Sequence, residues 1–495
     1  MTAKLQPAAL CLALTFTLTP ALTQAAQRTL VDSDHDGLIE INSLQDLDQI
    51  RHEFNPDDAF PTISGATLYG ESTGCNELGD GTCHGYELTR DLSFDSNNNG
   101  EFDPGDSFWN DGKGFAPFGQ LSPKFSAEFH GNGFAITHLY MNYPEQRFVG
   151  LFSYNEQSYI HDLTLSAEII GGMHSGALIG HGWQTRIENI RANITVRSGA
   201  DQIGGLIGIL EDGSRVTNVA LEAELFTNYR TGGLIGQAAA SEFSDIAVTA
   251  HFHNYSDLDD KPGSRWLGGV AGWSDDSQYQ SIVADSHFDV DASIGGILGT
   301  ASLDSLSDVL VVGQVTSARS AAGMIGNDYS ESGSNSITIR RGISLLHIPD
   351  TITAGGVVSS DSHYKSAAMT SVFWASDLSN TTRRIANNPS AGSNDIRAND
   401  IYCASETNNC NGLNYAGFEQ PTNQGGQRLW HFNSNTQAPQ LMLMGSHYPA
   451  FDTEPEPEPG SGNNGGNSSG GAIVWLLLLS AIGVRHNATK PDNGG

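Results

Sequence analysis

A glycine-containing phrase returns along most of the chain, and this repeat restricts the fold more than any other feature. It reads GGLIG around Gly205 and Gly233, GGVAG at Gly269 and GGILG at Gly296, and most copies are 26 to 29 residues apart. Weaker copies contain Gly150, Gly176, Gly323 and Gly356. A unit this short cannot bury an apolar face alone, but stacked copies share one core. The repeat therefore predicts an all-β parallel β-helix (β-solenoid), with one coil per copy.

An alternating apolar pattern follows each glycine phrase. It consists of Ile187, Ile190, Ala192 and Ile194 in one copy, and of Val216, Val219, Leu221, Ala223 and Leu225 in the next. Period-two alternation is typical of strands with one buried face. We expect the glycines to mark sharp corners or close approaches of the backbone. They do not form a phosphate-binding loop, because no lysine follows any copy.

One polar residue interrupts each alternating pattern. These residues are Asp162, Asn189, Asn218, Asp245 and Asp308. Short Asn and Asp side chains bond nearby backbone groups in turns, so the pattern predicts local turn residues. A stack of metal sites is the alternative, but the tight glycine-aspartate nonapeptide of calcium β-rolls is absent from the sequence.

Both ends of the chain have the composition of sorting segments. Residues 1–25 combine Lys4, an apolar run and a small-residue exit, which predicts a secretory signal peptide rather than a buried N-terminal helix. Residues 451–471 are a Pro/Glu and then Gly/Asn/Ser linker. Residues 472–495 form a hydrophobic tail whose apolar run, 472–484, is shorter than the ~20 residues of a spanning helix. The tail is the expected point of any membrane attachment.

The cysteines agree with an exported chain. Cys11 lies in the signal segment, and the four that remain are Cys75, Cys83, Cys403 and Cys410. Four cysteines allow three connectivities. Pairing within each close pair, 75 with 83 and 403 with 410, closes two short loops that would form in an oxidising compartment. Zinc is the alternative ligand, although no C-x-x-C spacing is present.

The charge of the chain excludes one class of partner and favours another. With 24 basic and 56 acidic residues, the formal net charge is −32. We therefore expect no nucleic-acid partner. Cations, or surfaces bridged by cations, are the expected partners.

The stretch VDSDHDGLIEI, residues 31–41, has the spacing of a calcium loop. Asp32, Asp34 and Asp36 alternate ahead of Gly37, as oxygen ligands do at loop positions 1, 3 and 5 before a glycine at position 6. Position 12 is Ser43, which cannot bind in bidentate fashion, so Glu40 or a distant residue must complete the site. An Asp-rich turn at a chain end is the alternative.

The stretch DSNNNGEFDPGD, residues 95–106, fits the calcium pattern better. Loop positions 1, 3, 5, 6 and 12 are Asp95, Asn97, Asn99, Gly100 and Asp106. Glu101 would offer its backbone carbonyl, and Asp103 would bind through water. Calcium is the predicted cofactor of both loops, and a solvated turn is again the alternative.

Two further segments are candidates for a cap and for a ligand site. Residues 43–54 begin with a Ser-x-x-Asp box and place Leu44, Leu47 and Ile50 on one face, which predicts a short helix over the N-terminal end of the solenoid. Residues 253–266 are a long insertion and the first place to seek a ligand. Its charged residues are those expected either on the outer face of a polysaccharide lyase or in a solvated loop. They are Asp257, Asp259, Asp260, Lys261 and Arg265.

The glycine phrases resemble the motif of the GLUG-repeat proteins. The resemblance extends upstream to FHGNGFAITHLYM (129–141), which is similar to the family's first coil, and downstream to LWHFNSNTQAPQL (429–441), which is similar to its last. It implies a secreted β-helix at a bacterial surface, without implying one activity. The Gly-Gly pair, apolar run and Arg485 resemble the GlyGly-CTERM sorting tail of Gram-negative surface proteins, which implies cleavage by a rhomboid-type protease.

These features give an expected organisation of the whole chain. Residues 1–25 are the signal peptide, 26–120 an N-terminal α-helical cap with calcium loops and a disulfide, 121–450 the β-helix, 451–471 the linker and 472–495 the sorting tail. We expect an adhesin-like protein, displayed extracellularly or on the outer membrane of a Gram-negative bacterium. Its partners would be host or neighbouring cells, surfaces or extracellular polysaccharide. A carbohydrate-active enzyme and a passive spacer are the alternatives, and no catalytic residue is assigned.

Overall fold

The chain folds into a parallel β-solenoid of about eight turns, as the repeat predicts. The computed structural model describes residues 30–34, 36–53, 72–73, 83–119, 124–227, 229–255, 265–329, 337–361 and 368–386, and also 395–396, 417–418, 430–431, 440–441 and 443. Three parallel sheets run along the solenoid. Within these ranges, no helix is both long enough and apolar enough to cross a membrane.

The first sheet has 14 strands and contains the longest strand of each coil. Its strands are Leu38–Ile41, Gly85–Leu88, Leu92–Ser93, Glu128–His130, Ala135–Tyr143, Tyr159–Gly171, Arg186–Ser198, Arg215–Thr227, Glu242–Asn254, Gln278–Asp289, Ser305–Ser317, Thr338–Ser344, Ala368–Ala375 and Asp395–Ile396. Neighbouring coils pair in parallel and in register, so each residue lies over its counterpart in the coil before.

The second and third sheets complete each coil with shorter strands. The second sheet consists of Phe152–Glu156, Ile179–Trp183, Ile207–Glu211, Ile235–Ala239, Ala271–Asp275, Leu298–Ser302, Ile325–Asp328 and Val358–Asp361. The third consists of Ile203–Gly204, Thr231–Gly232, Trp266–Gly268, Ser293–Gly295, Ser320–Ala322 and Thr353–Gly355. Outside them lie a parallel pair, Leu30–Val31 with Ser72–Thr73, an antiparallel pair, Trp430–His431 with Gln440–Leu441, the α-helices Leu44–Glu53 and Ser376–Ser379, and the 3-10 turn Asn110–Gly112.

The alternating residues of the long strands form the core, as predicted. Ile187, Ile190, Val216 and Val219 are all buried, and they belong to one continuous apolar cluster that runs through the solenoid. Each coil contributes a few aliphatic side chains, and the next coil covers them. Because burial is shared in this way, the core depends on contacts between neighbouring coils.

The glycines allow the backbones of neighbouring coils to approach closely, which confirms the corner interpretation. A Cβ atom on Gly233 would lie 2.1 Å from the carbonyl oxygen of Gly269, and one on Gly269 would lie 2.2 Å from that of Gly296. One assignment in the repeat is off by a residue. Ala177, rather than Gly176, lies opposite Gly205 and donates its N–H to the Gly205 carbonyl (3.0 Å). The small side chain of Ala177 is therefore tolerated in the row of stacked glycines.

The five polar residues inside the long strands have the left-handed backbone of turn residues. Three of them, Asp162, Asn189 and Asn218, form a hydrogen-bonded ladder between coils in place of the predicted bonds to local backbone. They bend each strand with a left-handed backbone, as at Asp162 (φ 53°) and Asn189 (φ 56°). Asn189 Nδ2 donates to Asp162 Oδ1 (2.8 Å), and Asn218 Nδ2 donates to Asn189 Oδ1 (2.7 Å). The register brings these side chains together from successive coils, so they bond each other rather than nearby backbone.

The helix at the N-terminal end begins at the predicted Ser-x-x-Asp box, with Asn42 in place of Ser43 as the backbone donor to Asp46. The Asp46 N–H donates to Ser43 Oγ (3.1 Å), and the Asp46 carboxylate accepts the Asn42 N–H (3.1 Å). Leu44, Leu47 and Ile50 are buried in the main core. The helix therefore covers apolar side chains at this end of the solenoid.

The insertion between coils is shorter than the predicted 253–266. His253 and Asn254 end the strand Glu242–Asn254, and Trp266 begins the strand Trp266–Gly268. These residues pair with neighbouring coils, so they belong to the solenoid. Asp257, Asp259, Asp260 and Lys261 lie outside the described residues.

The segment 429–441 does not extend the solenoid by a last coil. Its described strands pair only with each other, in antiparallel fashion. Trp430 and Leu441 pack instead on outward-facing apolar residues of the first sheet, which are Val283, Leu310, Val312, Ile343 and Phe373. Trp430 Nε1 also donates to Asp308 Oδ1 (2.8 Å), and both residues are buried. Trp430 and Leu441 therefore cover part of the outer side of the first sheet.

Candidate functional site

The first predicted calcium loop folds around the carboxylate of Asp32. This carboxylate accepts the N–H groups of Asp36 (3.2 Å) and Gly37 (2.9 Å). Gly37 has φ +92°, a conformation that glycine adopts without strain. Carboxylate oxygens of Asp32, Asp34 and Asp36 lie within 4.8 Å of one another. The loop therefore gathers the three predicted side chains.

Glu40 and a residue from the next coil complete this acidic group. The strand Leu38–Ile41 pairs with Gly85–Leu88, and the register places Glu87 opposite Glu40. Oxygens of Asp34, Glu40 and Glu87 lie within 4.8 Å of one another. Glu87 is not among the residues predicted from the sequence. The alternation in GYEL directs Glu87 to the side of the strand opposite Tyr86 and Leu88. Only the register of the two strands shows that Glu40 is its neighbour.

The environment of Glu87 disfavours negative charge. Burial raises the pKa of Glu87 to about 7, and the nearby charges of Asp36 and Asp34 add to the shift. Asn132 Nδ2 donates to Glu87 Oε2 (2.5 Å), which partly offsets these effects. A divalent cation among these oxygens would reverse the repulsion, because it favours the ionised carboxylate.

The second predicted calcium loop is closed by its first and last acidic residues. The Asp95 carboxylate accepts the N–H groups of Asn99 (3.1 Å) and Gly100 (2.8 Å). The Asp106 carboxylate accepts those of Asn97 (3.0 Å) and Asp103 (2.8 Å). Burial opposes ionisation of Asp106, but these hydrogen bonds outweigh it and lower the pKa of its carboxyl. Glu101 is exposed, and its N–H donates to Asn99 Oδ1 (2.9 Å).

Of the predicted cysteines, only Cys83 lies among the described residues. Cys83 is buried and disulfide-bonded. Cys75, Cys403 and Cys410 lie outside the described ranges, so the two pairings stay predictions. Arg265 is the one described member of the insertion's charged set, and its carbonyl accepts the Ser293 N–H (2.9 Å) in the next coil.

Charged residues at the corners of the coils are joined in ion pairs between successive coils. Arg230 binds the Asp201 carboxylate through Nε (2.9 Å) and Nη2. Arg319 forms a two-pronged pair with Asp291, with both distances 3.0 Å. These pairs neutralise the carboxylates that they join. They link coils, and their arrangement does not resemble the converging acid and base of a lyase.

The second sheet carries an outward column of side chains that was not predicted from the sequence. In-register pairing stacks Tyr154, His181, Ile209, Gln237 and Trp273 on five successive coils. At a strand spacing of ~4.8 Å, the column is roughly 19 Å long. We call it the aromatic column. Its members come from copies of different length, so the sequence alone does not place them together.

Aromatic and charged side chains flank the aromatic column. Trp183 lies next to His181, with ring centroids 3.6 Å apart, and Phe148 packs on Tyr154 at 4.5 Å. Lys124 Nζ lies 4.2 Å from the Trp183 ring, and the Arg230 guanidinium lies 4.5 Å from the Trp273 ring.

His181 adds a polar contact to this surface. His181 Nε2 is 2.9 Å from Glu211 Oε2. Burial lowers the pKa of His181 despite this carboxylate, which favours a neutral imidazole. The column therefore combines flat apolar rings with polar groups at their edges.

Comparison with known proteins identifies distant similarity only. No family model matches the chain. Halomucin of Haloquadratum walsbyi is 29% identical over 163 residues, which are 32% of this chain and 2% of halomucin. A solved structure of IgA1 protease gives a TM-score of 0.34 at 11% identity, over 70% of this chain and 22% of that one. That likeness is too weak to bear on function. The chain thus corresponds to a small part of each protein that it resembles.

Proposed function

We propose that this chain is exported and acts outside the cell as an adhesin-like protein that binds extracellular polysaccharide or cell surfaces. The aromatic column is the observation that carries the proposal. Sugar rings have apolar faces that pack on aromatic rings, and their hydroxyls hydrogen-bond to polar groups beside them. Tyr154 and His181 lie at one end of the column and Trp273 at the other, with the buried Ile209 and the polar Gln237 between them. The two ends are roughly 19 Å apart, which suits a linear polymer of several sugars.

Three further observations support an extracellular site of action. Cys83 is disulfide-bonded, and disulfides persist in oxidising compartments. Part of the chain is similar to a protein named as a mucin. Residues 1–25 have the pattern of a signal peptide. Membership of the GLUG-repeat proteins and display on a Gram-negative outer membrane through residues 472–495 belong to the same proposal, and they rest on the sequence motifs alone.

Calcium is part of the proposal, as the ion that holds the N-terminal cap together. The first site would use Asp32, Asp34, Asp36, Glu40 and Glu87, and the second Asp95, Asn97, Asn99, Glu101 and Asp106. The donor sets contain oxygen only, which is the preference of calcium. Two overlapping groups of carboxylates support a cation: oxygens of Asp32, Asp34 and Asp36 lie within 4.8 Å of one another, and so do those of Asp34, Glu40 and Glu87. Burial, with the charges of Asp36 and Asp34, raises the pKa of Glu87 to about 7, and a bound cation would offset this cost. Bound calcium would supply structural stability.

The binding proposal is tested with the purified full chain on a panel of immobilised polysaccharides and whole cells. We expect weak binding that Tyr154→Ala and Trp273→Ala each reduce by about tenfold, equivalent to ~1.4 kcal/mol. Phe226→Ala is the matched control. Phe226 is an outward aromatic residue of the first sheet, 4.0 Å from the Arg197 guanidinium, and its loss should leave binding unchanged.

Each other outcome selects a different function. Turnover of a polysaccharide without stable binding would support a carbohydrate-active enzyme. Neither binding nor turnover across the panel would leave a structural spacer. Equal losses of binding in Trp273→Ala and Phe226→Ala would remove the aromatic column from the proposal, because the effect would not be specific to that surface.

A further inference from the structure

Two histidines from successive coils lie against shared carboxylates on the outer side of the first sheet. The strand Glu128–His130 pairs with Tyr159–Gly171, and the register places Glu128 opposite Tyr159 and His130 opposite His161. Asp162 follows His161 at the bend of the strand. We call His130, His161, Asp162 and Glu128 the histidine cluster. It lies outside both predicted calcium loops and outside the aromatic column.

Three ligand-type atoms of the cluster converge. Asp162 Oδ2 is 2.6 Å from His161 Nδ1 and 3.3 Å from His130 Nε2. The two imidazole rings are stacked, with centroids 4.2 Å apart and planes 20° apart. Ligand atoms of these three residues all lie within 4.8 Å of one another. Because imidazole lone pairs lie in the ring planes, binding of one ion by both histidines requires the stacked rings to turn out of their parallel arrangement.

The remaining contacts hold these groups in place. Glu128 Oε1 is 2.9 Å from His161 Nε2, so Glu128 binds the ring nitrogen that faces away from Asp162. Asn189 Nδ2 donates to Asp162 Oδ1 (2.8 Å), which leaves Oδ2 toward the histidines. Tyr159 stacks on His161 at 4.0 Å. A carboxylate behind a histidine, and a hydrogen bond behind a ligating carboxylate, are the contacts that orient ligands in metal sites.

We propose that His130, His161 and Asp162 bind a divalent transition-metal ion of the zinc class, with Glu128 as the positioning residue for His161. The donor types distinguish this ion from calcium. Imidazole nitrogen suits zinc, copper and nickel, whereas calcium takes oxygen ligands. Three protein ligands leave at least one position for water or a ligand group. The acidic chain raises the local concentration of any cation.

A competing explanation is an ion-pair cluster without a metal. Burial opposes protonation of His161, but hydrogen bonds to Glu128 and Asp162 outweigh it and raise the pKa of this imidazole. Burial and the neighbouring His161 lower the pKa of His130. An ion-pair and hydrogen-bond cluster also accounts for His130, because an imidazole with its proton on Nε2 donates to Asp162 Oδ2 at 3.3 Å. Stoichiometric metal binding is therefore the property that separates the two explanations.

The test is titration of the full chain with cobalt(II) as a spectroscopic probe and with zinc by calorimetry, in excess calcium so that oxygen-only sites are filled. We expect one equivalent of cobalt to give visible absorption bands of a nitrogen and oxygen site, and zinc to displace it. His130→Ala and His161→Ala should abolish the bands. Glu128→Gln should weaken binding by about 10- to 100-fold, as loss of an orienting partner does.

A second stacked pair in the same sheet supplies the control. His251 and His287 have centroids 4.7 Å apart, and Asp285 is 4.0 Å from His287. His287→Ala should leave cobalt binding unchanged. If His161→Ala fails to fold, His130→Asn carries the test, because that side chain is a quarter exposed. No stoichiometric bands in the full chain, or unchanged bands in both His130→Asn and His130→Ala, would overturn the proposal.

Discussion

Replacement of Gly233 by alanine should destabilise the solenoid by about 2.5–4.5 kcal/mol. The new Cβ would lie 2.1 Å from the Gly269 carbonyl oxygen and 2.8 Å from Val248 Cγ1, whereas ordinary contact begins at 3.4 Å. The two coils would therefore have to separate locally by about 1 Å. Such overpacking costs ~1–3 kcal/mol.

The separation would also weaken hydrogen bonds between the two coils. The Gly233 N–H donates to the Gly268 carbonyl (3.1 Å), and the Leu234 N–H donates to the Val270 carbonyl (3.0 Å). Each is worth ~1 kcal/mol net. Alanine lowers the conformational entropy of the unfolded chain, which offsets only ~0.5 kcal/mol of this destabilisation. Steric conflict and lost hydrogen bonds together give the stated magnitude.

Urea unfolding followed by circular dichroism measures this loss of stability. Gly213→Ala is the matched control, because Gly213 has φ +82° and no atom within 4 Å of a built Cβ. Its cost should be ~1 kcal/mol, from the left-handed backbone alone. Close approach of the coils, and not backbone conformation, is the stated reason for glycine at position 233. That reason is wrong if Gly233→Ala loses no more stability than Gly213→Ala.

Four further predictions concern ions, cysteines, a buried carboxyl group and the insertion. Calcium should raise the melting temperature above its value in chelator, because bound calcium adds about 1.4 kcal/mol to the free energy of unfolding for each tenfold excess over its dissociation constant. Glu87→Gln should reduce this gain, and identical melts with and without calcium would contradict the prediction. The denatured, unreduced mature chain should react with no thiol dye, whereas stoichiometric labelling would reject the pairing of Cys75 with Cys83 and of Cys403 with Cys410. Burial raises the pKa of Asp245 to about 6 from the 3.8 of a free carboxyl, so its stabilising contribution is complete below pH 4 and is lost as the pH rises through 6. Asp245→Asn, which keeps the shape of the side chain and removes the ionisable group, should therefore be more stable than the unsubstituted chain by about 1 kcal/mol at pH 8 and not at pH 4, measured by urea unfolding at both values. Deletion of 256–264 should leave the melt unchanged and weaken binding to polysaccharide or cells, and unchanged binding would show that the insertion carries no specificity.

The sequence predicts the solenoid well because its physical requirements repeat. A close backbone approach requires glycine, and a half-buried strand requires alternation, so each coil carries both signals. Ala177 shows the limit of this reasoning, because it takes the place of a glycine and shifts the apparent alignment by one residue. Asn189 and Asn218 show another. A pattern within one strand does not reveal that the next coil supplies the hydrogen-bond partner.

The candidate sites are predicted less completely than the fold. The acidic loops are local in sequence, so Asp32, Asp34 and Asp36 are recognisable without a structure. Glu87 meets them only through the register of Leu38–Ile41 with Gly85–Leu88. The aromatic column and the histidine cluster also depend on register across coils of unequal length. Side chains of this kind have no shared sequence motif, because their proximity comes from stacking alone.

The contact between Trp430 and Asp308 joins residues that are 122 positions apart. A pull on the chain beyond residue 443 would reach this contact and the apolar cover around Leu441 before it reached the last coils. The load would first have to separate Trp430 and Leu441 from apolar side chains of several strands and break the Trp430–Asp308 hydrogen bond. Only then would it act on the backbone hydrogen bonds of the last coils. A solenoid held from its C-terminal side in this way would resist mechanical unravelling under flow.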